Sequence, residues 1–236
     1  MRVEPYGAGS ILHVIKRGAR GLEIVRDERD RQRFLKLLYF LNDEYQGGNG
    51  WERDMDGLPP FTRPKYWPAW HPLVDVLGWT LLSNHLHLLI RVRDEGEKGV
   101  SEFLHRLFRS MTGHFNEKYN ERGSIFQGPY KSRTVDNDDY LRYVVPYIMV
   151  KNTLEMHPDG FEKAAANFDS AWKWAIQYPY SSLGVYAGEM VSPVVMKNNI
   201  IHELFPTPRT FKEASRDMLH AYREKRKDLR ALQLEE

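Results

Sequence analysis

Ser83-Asn84-His85-Leu86-His87-Leu88-Leu89-Ile90-Arg91-Val92 decides how this chain folds. The run is apolar and reads as a β-strand, whose side chains alternate between two faces. His85, His87, Leu89 and Arg91 therefore share one face, and Leu86, Leu88, Ile90 and Val92 share the other. Leu73 to Leu82 reads as a preceding strand, turned through Leu82-Ser83-Asn84 into a hairpin at the centre of a sheet. Two imidazoles one residue apart on a rigid strand have the spacing that paired metal ligands need. By itself His-x-His is weak evidence, because core and surface histidines show the same spacing.

Outward from this hairpin the chain alternates strands and helices. Ile11 to Gly18 reads as a first strand. Asp27 is placed to cap a helix carrying Phe34, Leu37, Leu38, Leu41 and Tyr45 at helical spacing, with Gly47-Gly48-Asn49-Gly50 as its stop. Residues 47–72, rich in proline and tryptophan, read as an ordered inserted loop or lid. After the hairpin, a helix from about Ser101 buries Leu104, Leu107, Phe108, Met111 and Phe115, and Gly123 ends the helical region. Ser124 to Val135 reads as an irregular fourth strand broken by Gly128-Pro129. Asp136 or Asn137 caps a helix from Asp138 to about Thr153. The order strand, helix, two strands, helix, strand, helix predicts an α+β fold: a ferredoxin-like antiparallel sheet with packed helices. From Pro208 a charged amphipathic helix follows, with Phe211, Met218, Tyr222, Leu229 and Leu232 on one face.

The composition narrows the classes. In 236 residues, 42% hydrophobic and 13% aromatic, there is material for a real core, so disorder is excluded. The absence of cysteine removes disulfides, thiolate metal sites and cysteine nucleophiles, and suits a reducing compartment. No signal pattern or membrane-length apolar run is present, which predicts a soluble, cytoplasmic protein with no membrane partner. A net charge of +2 is too small to argue for a nucleic-acid partner. Within His105 to Arg133, however, Arg106, Arg109, Lys118, Arg122, Lys131 and Arg133 face only Glu117 and Glu121. That stretch is either a solvated helix face or a surface for phosphates.

Tyr140, Val144, Tyr147 and Lys151 fall on one helix face. From spacing alone, Tyr147 reads as a core ring whose hydroxyl reaches the edge.

Several motifs in order now carry a resemblance. They are His13-Val14-Ile15-Lys16-Arg17-Gly18, Arg26-Asp27-Glu28-Arg29-Asp30 with Arg33-Phe34-Leu35, Ser83 to Ile90, Ile125-Phe126-Gln127-Gly128-Pro129-Tyr130-Lys131-Ser132, Tyr140-Leu141 ahead of Tyr147-Ile148, and Tyr178-Pro179-Tyr180-Ser181-Ser182. Over roughly residues 10 to 186 the chain resembles the single-tyrosine HUH transposases, in particular the REP-associated tyrosine transposase (IS200-like) branch. The resemblance implies that His85 and His87 hold a divalent ion, Mg²⁺ or Mn²⁺. It makes Tyr147 the nucleophile, forming a 5′-phosphotyrosine link and freeing a 3′-hydroxyl. The implied substrate is single-stranded or stem-loop DNA, with a nucleoid-associated location. Arg17, Arg106, Arg109, Lys131, Arg133 and Lys151 would then meet phosphates, and Trp67 and Trp70 would stack on bases. Packing of those rings on the protein itself is the other reading.

One departure stands out. The family pattern carries an amide or carboxylate ligand four residues after the tyrosine, where this chain has Lys151; Asn152 comes fifth. Five residues turn a regular helix about 140°, so Asn152 serves as third ligand only if the helix is distorted, which Pro146 favours. The resemblance divides the chain into a catalytic domain at 1–186 and a largely helical extension at 187–236. Homodimer and monomer both stay open. Against the strand transferase stands a domesticated DNA- or RNA-binding protein that keeps the fold without catalysis.

Overall fold

Period-two alternation in the strands and the 3.6 period between them build a four-stranded sheet with helices on both faces. The structure, a computed structural model, describes residues 5–47, 50–93 and 96–233, with side chains through 225. In chain order it holds β1 (Ile11–Arg17), α1 (Glu28–Phe40), α2 (Trp51–Asp56), β2 (Val74–Leu81), β3 (His85–Val92), α3 (Glu97–Tyr119) and β4 (Lys131–Val135). Next come α4 (Asp138–Pro146), a π-helical turn (Tyr147–Lys151) and α5 (Asn152–Glu155). Short helices α6 (Phe161–Ala166), α7 (Phe168–Ala175), α8 (Leu183–Tyr186) and α9 (Ile200–Leu204) lead to the long α10 (Pro208–Gln233). The strands lie in the order β2-β3-β1-β4, every neighbour antiparallel. This is the expected α+β, ferredoxin-like arrangement. Among the described residues no helix is long and apolar enough to cross a membrane.

Register assigns the two faces. His13, Ile15 and Arg17 of β1 stand opposite Leu89, His87 and His85 of β3, and Thr80 of β2 stands opposite His87. On the outer side of β1, Arg133 faces His13 and Lys131 faces Ile15. All these residues share one face. Alternation sends Leu12, Val14 and Lys16 to the other, where the Lys16 ammonium lies 5.1 Å from the Phe108 ring of α3. The first face packs against the π turn and its flanking helices, the second against α3, which in turn packs on α1.

Asp27 caps α1 as expected: it accepts the Asp30 N–H, and Asp30 reaches back to the Asp27 and Arg26 N–H groups. Asn137 rather than Asp136 caps α4, accepting from Tyr140 N at 2.8 Å.

Three boundaries and one added helix differ from expectation. The first helix stops at Phe40 and not at the glycine cluster, of which Gly48 and Asn49 lie outside the described residues. The cause is Asn42 and Asp43, both fully buried. Asn42 exchanges two hydrogen bonds with Val74, while Asp43 accepts the N–H groups of Tyr45 and His71 and pairs with Arg63. Such side chains compete with helical hydrogen bonding and end the helix. The inserted segment carries a helix of its own, α2. The third helix begins at Glu97, four residues before Ser101. The fourth strand spans only Lys131–Val135, because Gly128 adopts φ 57° and Pro129 lacks an N–H. Of the expected α10 stripe, Phe211 and Met218 are buried and Tyr222 is partly so, while the side chains of Leu229 and Leu232 lie outside the described residues.

One buried ionic cluster joins the start of α1 to the end of α3. Asp30 accepts from Lys118 Nζ at 2.6 Å and from the Tyr119 hydroxyl at 2.8 Å. Burial acts to raise the Asp30 carboxyl, but hydrogen bonds from Lys118, the Arg26 N–H and Tyr119 outweigh it and hold it at about 2. Its contribution is complete above the unfolded carboxylate range and is lost as pH falls through about 2. Asp30→Asn should therefore cost about 2 kcal/mol at neutral pH. Urea midpoints measured between neutral pH and pH 2 should fall less steeply in the variant. Parallel curves for the two proteins would remove this role.

Candidate active site

The floor of the site is the histidine-bearing sheet face, and its roof is the π turn. His85 and His87 project from β3 with ring centroids 5.1 Å apart. His13, on the neighbouring strand, stacks on His87 at 5.1 Å, with His13 Nε2 2.8 Å from His87 Nδ1. Tyr147 stands over both, its ring 6.0 Å from that of His87 and 6.3 Å from that of His13. Half-buried, it is flanked by Tyr143 at 6.0 Å and by Tyr222 of α10 at 6.1 Å.

Burial sets the protonation of the three imidazoles. Desolvation, helped by Arg133, lowers His13 to about 4; desolvation and Arg17 lower His85 to about 4. His87 is driven well below the usual histidine range by burial, then by His13 and His85. All three are neutral near pH 7, the form in which imidazole offers a lone pair. Asn84 Oδ1 lies 2.7 Å from His85 Nδ1; an amide oxygen only accepts, so the His85 proton is on Nδ1 and Nε2 is left basic. In the tautomer whose His87 Nδ1–H donates to His13 Nε2, His87 also keeps its lone pair on Nε2. That atom is buried and has no hydrogen-bond partner.

Lys151 lies over the tyrosine, its ammonium 4.9 Å from the Tyr147 ring and 5.3 Å from that of Tyr222. Burial works against its charge. The Glu155 carboxylate at 2.5 Å and the Tyr147 phenol outweigh burial, and the pKa is raised. The Asn152 side chain, wholly buried, accepts from Lys151 Nζ at 3.3 Å through Oδ1, and its Nδ2 has no partner.

A divalent ion fits this donor set in part. His87 Nε2 is a buried ring nitrogen with no hydrogen-bond partner, and both imidazoles are held from behind at Nδ1, as metal-binding histidines are. Among the described residues no three His, Cys, Asp or Glu side chains converge to hold an ion, so the protein supplies two imidazoles and the Asn152 amide at most.

The structure gathers Tyr147, His85, His87, Lys151 and Asn152, with exposed Arg17 opposite His85. Lys131 and Arg133, exposed on β4, continue the same face, and the Arg133 guanidinium lies 4.6 Å from the Tyr140 ring. Arg106 and Arg109 belong to α3 on the opposite face. Arg106 donates to Asp43 O at 2.7 Å and pairs with Glu102. Trp67 is buried edge-on against Phe40 and Tyr45. Trp70 gives its indole N–H to Asn42 O at 2.8 Å and lies 5.2 Å from Tyr39. The exposed ring of that segment is Tyr66.

His13, Glu155, Tyr222 and Thr80 complete the site without having been given a role in it from the sequence. His13 had a signal: it alternates with Ile15 and Arg17, and the ferredoxin-like strand order sets β1 beside β3. Glu155 stands four residues after Lys151 on a helix. Tyr222 was legible as part of the apolar stripe of the C-terminal helix but not as part of the site, and Thr80, which arrives through tertiary packing, had no signal.

No family model matches the chain, and no curated protein matches it. Among solved structures it is similar to a REP-associated tyrosine transposase bound to a REP hairpin, at 12% identity and a TM-score of 0.43. The match covers 85% of this chain and 92% of that one.

Proposed function

We propose that this protein is a metal-dependent DNA strand transferase that cuts single-stranded DNA at stem-loops through Tyr147. The observation that carries the reading is the half-buried Tyr147 phenol standing over neutral His85, His87 and His13 with the Lys151 ammonium beside it. The phenol loses its proton and its oxygen bonds to phosphorus; the bond from phosphorus to O3′ breaks, and O3′ gains a proton. The phosphodiester energy stays in the 5′-phosphotyrosine, so the reverse attack rejoins a strand without a nucleotide cofactor. A Mg²⁺ or Mn²⁺ ion on His85 and His87 would supply Lewis-acid polarisation of a phosphate oxygen. The Lys151 ammonium beside the Tyr147 ring offers a positive charge to the phosphate that bonds there, and Glu155 keeps that lysine charged and in place. His13 holds the His87 ring and its tautomer. Arg17, Lys131 and Arg133 line one face along which a strand would run.

The test is denaturing electrophoresis of the protein with labelled hairpin DNA carrying a single-stranded flank, with and without Mn²⁺. A covalent adduct that needs the ion is expected. The second reading, a DNA- or RNA-binding protein that keeps the fold without cleaving, is favoured by Lys151 standing where the family pattern has a ligand. Tight hairpin binding with no adduct under any metal would establish that reading instead.

Hairpin affinity should fall steeply with salt. Replacing Arg17, Lys131 and Arg133 together by alanine should flatten the log–log slope by roughly 2. Arg109→Ala, on the other face, should leave the slope unchanged. Fluorescence anisotropy across a salt series reads both, and equal slopes for triple variant and wild type would move the DNA off this face.

A further inference from the structure

We propose that Thr80 and Ser181 are positioning residues for the reaction: their hydroxyls hold the π turn and so set the Asn152 amide one turn from Tyr147. The proposal rests on the reading of Tyr147 given above, and it begins with hydrogen-bond accounting. In an α-helix each carbonyl is bonded by the N–H four residues on; in a π turn the partner is five residues on. Here the Asn152 N–H bonds to Tyr147 O. Returning from five-residue to four-residue spacing leaves one carbonyl with no backbone N–H. A buried carbonyl left in that state is destabilising, so a π turn persists only where other donors serve it.

The donors are present. Ile148 O accepts from the Thr80 hydroxyl at 2.6 Å. Met149 O accepts from Thr153 at 2.5 Å and from Ser181 at 3.3 Å. Thr80 and Ser181 are also 3.2 Å from each other, and both are buried beyond the reach of bulk water. Thr80 lies directly opposite His87, so one strand pair fixes both the imidazole and the turn above it. Gly78, two residues earlier, leaves room for the approach: a Cβ there would lie 2.1 Å from Met149 Cε and 3.1 Å from Ser182 Oγ. Ser182 Oγ in turn accepts the Trp79 N–H at 2.9 Å, which ties the Tyr178–Ser182 motif to β2.

The consequence is positional. Asn152 takes the hydrogen-bonding place behind Tyr147 that a residue four positions on would hold in a regular helix. The π turn thus absorbs the one residue by which this chain departs from the family spacing, and Lys151 keeps its ammonium over the phenol.

Thr80→Val replaces the hydroxyl by a methyl of nearly the same size. Amide hydrogen exchange at Asn152, measured against an α3 amide, should speed by roughly 5- to 10-fold, the loss of one buried hydrogen bond. Adduct formation with hairpin DNA and Mn²⁺ should slow by ~10- to 100-fold, as when an outer-shell support is removed. Ser181→Ala should do less, Thr80→Val with Ser181→Ala more, and Thr80→Ser should restore both readouts. Thr112→Val, which loses a comparable bond to Phe108 O on the other face of the sheet, is the control and should move neither. The milder Ser181→Ala keeps the test open if the double variant does not fold. Wild-type exchange at Asn152 and wild-type adduct rates in Thr80→Val overturn the proposal, as does failure of Thr80→Ser to restore them. A wild-type protein that makes no adduct overturns the function proposed above, and the exchange arm then decides the hold on the π turn alone.

Discussion

Tyr147→Phe should bind hairpin DNA as the wild type does and form no covalent adduct, a loss of at least ~10³-fold in cleavage, since an adjacent phenol would have to move by ångströms for in-line attack. The substitution removes one oxygen from a ring whose packing against His87, His13, Tyr143 and Tyr222 is otherwise kept. Folding should therefore survive. The adjacent phenols make the outcome informative. Tyr143 stacks on Tyr147, but its ring is not in contact with either His13 or His87 in the way Tyr147 is, and burial followed by the charges of Tyr147 and Tyr222 raises its pKa. Peptide mapping of the wild-type adduct should find Tyr147 alone. An adduct on Tyr143 or Tyr222, or undiminished cleavage by the Phe variant, would move the nucleophile. Cleavage without any adduct in the wild type would make the protein a metal-dependent hydrolase.

His87→Ala should weaken Mn²⁺ binding by more than ~100-fold, beyond what loss of an outer-shell support costs. Among the described residues the ring contributes the one buried imidazole nitrogen without a hydrogen-bond partner, and its loss would leave the ion with His85 and at most the Asn152 amide. Calorimetric titration with Mn²⁺ reads this without DNA. His13→Ala should cost less, about 10- to 100-fold, because it removes only the group that fixes the tautomer. His13→Gln should recover part of that loss, since its amide oxygen can accept from His87 Nδ1. Adduct formation by His87→Ala should be absent at low Mn²⁺ and partly restored at high Mn²⁺, whereas no concentration should restore Tyr147→Phe. Wild-type Mn²⁺ affinity in His87→Ala would take the ion away from this strand.

Periodicity made most of the architecture readable. The hairpin, the His85/His87 face and the buried stripe of α3 follow from spacings of two and of three to four, which are local. The caps at Asp27 and Asn137 were equally local. What escaped was decided at a distance. α1 ends where Asn42 reaches Val74, a partner far along the chain, and no run near Phe40 announces it. Trp67 and Trp70 left two readings open, and which neighbours they pack on depends on the docking of the whole insertion. Proline at position 146 signalled a distortion. That it takes the form of a π turn depends on hydroxyls contributed by β2 and by the segment before α8. Tyr222 reaches Tyr147 only because α10 crosses back over α4 and the π turn.

β4, the terminal strand of the sheet, is five residues long and shows Lys131 and Arg133 to solvent, while the other terminal strand, β2, is covered by bridges to Ser181 and Val195. An open strand edge is a template on which a second copy can add itself, and brevity and positive charge are the usual deterrents. Two copies meeting edge to edge here would bring four like charges together. Neutralising these cations should therefore do more than loosen a grip on phosphate: it should make the protein more prone to self-association.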